Sequence, residues 1–153
     1  MGTIKLDTIV GLSTDNDVTI ASNKFVGTAS GNMTVVGEGG TTQTNLQQGL
    51  LKVWHNFDGE STVATRDSFN TSGLTDNGTG DYSLTITNDF ANVNYVANCD
   101  NESGNGDVAR IYGEGSANGR YETGIFRIYV FQTDDRSATD ANIVTAMLAG
   151  DLA

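Results

Sequence analysis

Tyr82, Leu84 and Ile86 alternate with Ser83, Thr85 and Thr87. A period of two puts three large apolar groups on one face of a strand and three small polar groups on the other. Similar runs recur. Residues 51–57 and 62–69 read as strands, and residues 92–98 and 108–114 carry weaker versions of the pattern. Asp58-Gly59, Asn77-Gly78, Asn105-Gly106 and Asn118-Gly119 punctuate them. Such pairs tolerate the positive φ that two-residue hairpin loops require. Residues 121–131 differ, because both faces are apolar: Phe126, Ile128 and Val130 on one, Ile125, Tyr129 and Phe131 on the other. A strand of that kind is either central to a sandwich or part of a subunit interface. Ala141 to Ala149 is ambiguous. Asp140 suits a helix cap and Ala, Met and Leu suit a helix, whereas Ile143-Val144-Thr145 favours a strand. Seven or eight short strands over about 100 residues predict an all-β sandwich or jelly-roll-like domain spanning residues 50–153.

Residues 1–49 carry only short apolar bursts separated by Thr, Ser, Asn and Gly. Ile4, Leu6 and Ile9, then Val18 and Ile20, follow strand rather than helix spacing. This stretch cannot close a core of its own. It is either a disordered leader or an extended arm of short strands that buries its apolar stripe against another chain, with Thr41 to Gln48 as a polar connector. The arm reading makes Ile4, Leu6, Ile9, Val18 and Ile20 interface candidates, together with Ile125, Tyr129 and Phe131.

Composition narrows the function. Only 37% of the 153 residues are hydrophobic, below the usual share, while Thr (20), Asn (15), Ser (10) and Gly (19) fill much of the chain. Lys and Arg number 8 against 19 Asp and Glu, a net charge of −11. No basic stripe exists to neutralise phosphates, which argues against nucleic acid and anionic lipid as partners. No apolar run is long enough for a membrane helix, and residues 1–7 show no secretory pattern.

Little in the chain points to catalysis. His55 is the only histidine, sits in a strand-like run, and reads as a structural or interface residue rather than a catalytic one. Cys99 is the only cysteine, placed at a strand end before Asp100-Asn101-Glu102, where carboxylates would raise its pKa. One His and one Cys cannot form a tetrahedral zinc site. The oxygen-rich loops at residues 15–17, 76–81 and 100–107 offer the oxygens a hard cation such as calcium takes, but they lack EF-hand spacing, and turn chemistry explains the same residues without a metal. Glu114, Glu122 and Asp134 mark where a carboxylate pair would be sought. Trp54 and the tyrosines at 82, 95, 112, 121 and 129 could stack on sugars, but core or cross-strand packing is the commoner use. No catalytic residue and no cofactor is expected.

The stretch Gly37 to Leu50, Trp54-His55-Asn56-Phe57-Asp58-Gly59 and Leu74-Thr75-Asp76-Asn77-Gly78-Thr79-Gly80-Asp81-Tyr82 resemble the virion fibre and tail-tip proteins of tailed bacteriophages, particularly marine ones. The resemblance covers residues 37–153. It implies a small C-terminal β domain, a final strand over residues 142–148, and a structural or host-contacting role. The expectation is a short homotrimeric fibre in the virion, joined to other virion proteins through the arm and reaching a host-surface glycan or protein. The alternatives are a capsid decoration or head-fibre protein, or a free carbohydrate-binding module.

Overall fold

The computed structural model describes residues 34–36, 43–102, 107–111 and 121–153. Ile4, Leu6, Ile9, Val18 and Ile20, and with them the arm reading, lie outside these residues. Within them the chain is almost wholly β. A small antiparallel pair, β1 (Thr34–Val36) and β2 (Gln43–Asn45), precedes a single helical turn, α1 (Leu46–Gly49). The Asn45 side-chain oxygen accepts from the backbone N–H of Gln48 and caps that turn. The polar stretch expected to be a plain connector therefore contains a strand and a capped turn.

Eight further strands follow: β3 (Val53–Asp58), β4 (Ala64–Phe69), β5 (Thr71–Gly78), β6 (Asp81–Ile86), β7 (Val96–Glu102), β8 (Asp107–Ile111), β9 (Ile125–Gln132) and β10 (Ile143–Ala149). They form two four-stranded antiparallel sheets. Sheet I runs β4-β3-β10-β7 and sheet II runs β5-β6-β9-β8. The last strand thus pairs with the first of the eight. The Ala141–Ala149 ambiguity resolves as a strand, because a helix could not supply the ladders that β10 makes to β3 and β7 at once.

The two sheets bury their facing sides. Val53 and Phe57 of β3 and Val144 and Leu148 of β10 meet Leu84 of β6 and Phe126, Ile128 and Val130 of β9, all at 0% exposure. Each such side chain contributes roughly 1.5–3 kcal/mol relative to an exposed one. Phe57 packs edge-on against Tyr82 with ring centroids 5.0 Å apart. At one end Phe90 stacks on Tyr95 at 4.3 Å and Tyr95 leans on Tyr121 at 4.9 Å.

Three connections shape the sandwich. Between β4 and β5 the chain passes from sheet I to sheet II through one residue, Asn70, at φ 58°. Asn tolerates that left-handed backbone. Its side-chain amide donates to the carbonyls of Lys52 and Asn88, and its oxygen accepts from the Asn88 N–H. The β5–β6 hairpin turns at Thr79-Gly80, not at Asn77-Gly78 as expected. Asn77-Gly78 instead ends β5 with a register shift between Asp76 and Gly78. Asp58-Gly59 is likewise no hairpin tip. Gly59 is buried, its N–H bonds the Ala141 carbonyl, and the loop runs on to Ala64.

Candidate functional site

Alternation fixes what each sheet shows to the outside. On β9, Phe126, Ile128 and Val130 point into the core, so Ile125, Arg127, Tyr129 and Phe131 lie on the outward face of sheet II. Ile125 is 44% exposed, and the half-buried rings of Tyr129 and Phe131 sit 5.9 Å apart. Among them, Arg127 forks onto Asp81 of β6: Nε donates to Oδ1 at 2.7 Å and Nη2 donates to Oδ2. The three described interface candidates thus share one face, and β9 is a central strand of its sheet as well.

The outward face of sheet I was not anticipated. Trp54 of β3 is the cross-strand partner of Phe69 on β4 and of Met147 on β10. Phe69 is 53% and Met147 44% exposed, with Trp54 half-buried between them. Two residues along each strand, Asp67, Asn56, Thr145 and Asp100 form a second, wholly polar row of partners. The face is an apolar ledge beside a polar one. Its signal was present in the alternation: Val53 and Phe57 facing inward force Trp54 outward.

His55 faces inward with Val53 and Phe57 and is 2% exposed. Its Nδ1 lies 2.8 Å from Thr71 Oγ1 and its Nε2 3.0 Å from Thr65 Oγ1. A neutral imidazole has one donor and one acceptor, and two hydroxyls satisfy both. Burial holds its pKa below the ordinary 6.5. This is the chemistry of a tie between strands rather than of a base exposed to substrate.

Cys99 lies within β7, not at its end, on the side facing the core. Burial pushes its thiol up to about 12. The expected cause, the acidic turn, is replaced by desolvation. The Tyr82 hydroxyl contacts the Gly59 carbonyl and Asp140 Oδ1, each at 2.8 Å, and Tyr95 donates to the Glu122 carbonyl at 3.1 Å. These two rings are core.

In the 76–81 loop, Asp76 accepts from the Gly78 N–H, and Asp81 takes Arg127. Glu122 and Asp134 are exposed, whereas Glu114 lies outside the described residues. Among the described residues no cluster of three His, Cys, Asp or Glu could hold a metal, and no helix is long and apolar enough to cross a membrane. No protein-family model, curated protein or solved structure matches this chain.

Proposed function

We propose that this chain is a structural component of a tailed-phage virion, a short homotrimeric fibre or tip protein that contributes to attachment at the host surface. The observation that carries the reading is β9. As a central strand its inner residues fill the sandwich core, yet three of its outer residues, Ile125, Tyr129 and Phe131, are again apolar beside the Arg127–Asp81 pair, with Ile125 at 44% exposure. A sandwich needs only one apolar face per sheet. Ile125, exposed at the start of that stripe, suits burial against a neighbouring copy, since exposed apolar surface is a mark of association. The thin interior and the net charge of −11 fit an elongated assembly whose copies stay soluble until they join.

Native mass of the full-length chain is the test. The expected mass is three times that of one chain, and Ile125→Asp is expected to shift the population towards monomer, because it places a carboxylate in the shared face. A wild-type chain that is monomeric at every concentration would sink the assembly reading.

A further inference from the structure

We propose that the outward face of sheet I is a binding platform for a neutral oligosaccharide. The register builds it. Phe69, Trp54 and Met147 are successive cross-strand partners on β4, β3 and β10. With strands spaced ~4.8 Å apart, this apolar row spans about 10 Å, roughly the length of a disaccharide. Asp67, Asn56 and Asp100 belong to the polar row beside it.

A pyranose ring has the same two-part character. One face presents C–H groups and the rim presents hydroxyls. The C–H face packs on the aromatic ring of Trp54 or Phe69, and the hydroxyls meet the carboxylates and the amide. Hydroxyl-to-carboxylate bonds are charge-assisted, the stronger kind. Two carboxylates are already oriented: Asp67 Oδ1 accepts from the Ser68 N–H and Asp100 Oδ1 from the Asn101 N–H.

Charge selects the class of ligand. The polar row carries two acidic side chains and no basic one. Arg66, also on β4, is held by Asp58 and by the carbonyl and side chain of Asn142. A uronate, a sulfated sugar or a phosphate therefore meets repulsion there. A second copy docked face to face would bring the same carboxylates together, since such an interface sets a patch against itself. The proposal does not rest on the virion reading, because a free module could use the same face.

The chain carries its own reporter. Trp54 is the only tryptophan and lies in the centre of the apolar row. The full-length protein is titrated with cellohexaose, maltohexaose and mannohexaose, with alginate oligosaccharide as the anionic counterpart, while Trp54 emission is followed. Phe69→Ala and Asp67→Asn are run beside it, with thermal midpoints to show that both remain folded. The expected result is a saturable change with at least one neutral hexasaccharide and none with alginate, weakened roughly tenfold by Phe69→Ala and also reduced by Asp67→Asn. No saturable change with any neutral probe overturns the proposal, as does unaltered binding by Phe69→Ala or an equal response to alginate. A fall in native mass on Phe69→Ala would give the face to a second copy and overturn it too. The wild-type mass, read separately, tests the assembly and leaves this result standing or falling alone.

Discussion

Two polar side chains tie the sheets together across the core, and the difference between them shows how this thin sandwich is held. His55 on β3 reaches Thr71 of the opposite sheet and Thr65 of its own. Tyr82 on β6 reaches back to Gly59, just past β3, and to Asp140, just before β10. Burial lowers the pKa of the base and raises that of the acid, so the same desolvation keeps both neutral. Their partners differ. A protonated His55 could still donate from both nitrogens to the two hydroxyls, so charging it sacrifices solvation but no hydrogen bond. An ionised Tyr82 would lose its only donor and face the Asp140 carboxylate. The Tyr82 tie is therefore the more brittle, and it stands at the alkaline edge of stability as His55 stands at the acid edge.

The most damaging change should fall on the Tyr82 side. Gly80 donates its N–H at 2.7 Å to the Asp140 oxygen that Tyr82 also touches. Its φ is +67°, and a Cβ there would lie 2.3 Å from the Val130 carbonyl oxygen. For Gly80→Ala, left-handed backbone adds about 1–2 kcal/mol and overpacking about 1–3 kcal/mol, so a loss of about 2–5 kcal/mol is expected. Urea unfolding with an unchanged m-value measures it. A loss below about 1 kcal/mol would mean the node gives way easily.

Tyr82→Phe comes next, at about 1–3 kcal/mol, because the Gly59 carbonyl and Asp140 lose a buried partner. It should also alter the alkaline limb. A folded pKa raised above the ordinary 10 means the native state keeps a proton that the unfolded chain releases. The stability is then fully present below pH 10 and declines as pH rises beyond it. The variant should decline less steeply over that range; an identical slope would assign the limb to another group.

Alternation made the central strands legible. Tyr82, Leu84 and Ile86 announced β6, and the two-faced run at 121–131 announced β9. The edges were harder. β5, Thr71–Gly78, was missed because Thr-Ser-Gly-Leu-Thr-Asp-Asn-Gly has one large apolar residue, Leu74, and otherwise turn chemistry. An edge strand with little to bury needs no alternation. The Asn77-Gly78 signal was real but displaced, since the bulge moved the turn to Thr79-Gly80. The strand-like run around His55 was legible, but its two threonine partners come from β4 and β5, and no local pattern shows them. For the Trp54–Phe69–Met147 row, alternation turns Trp54 outward, but its neighbours are set by register, with Phe69 on the adjacent β4 and Met147 on β10 at the other end of the domain.

The smallest expected effect is on the acid side, and it isolates a single group. His55 is the only histidine in the chain, and its folded pKa lies below 6.5. Between those two values the unfolded chain binds a proton that the native state refuses, so stability rises with pH. It is fully present above pH 6.5 and declines as pH falls towards the folded value. One proton limits the slope to about 1.4 kcal/mol per pH unit. Carboxylates become important only below about pH 5, which leaves the interval between for His55 alone. His55→Gln should be less stable at pH 7.5, because an amide cannot reproduce both threonine contacts at that spacing, but its stability should be flat from pH 6.5 to 5. If the wild-type slope persists in the variant, the burial of His55 is not its origin. If the slope vanishes, the effect belongs to desolvation of a charge whose hydrogen bonds could all have survived, the feature that separates this tie from Tyr82.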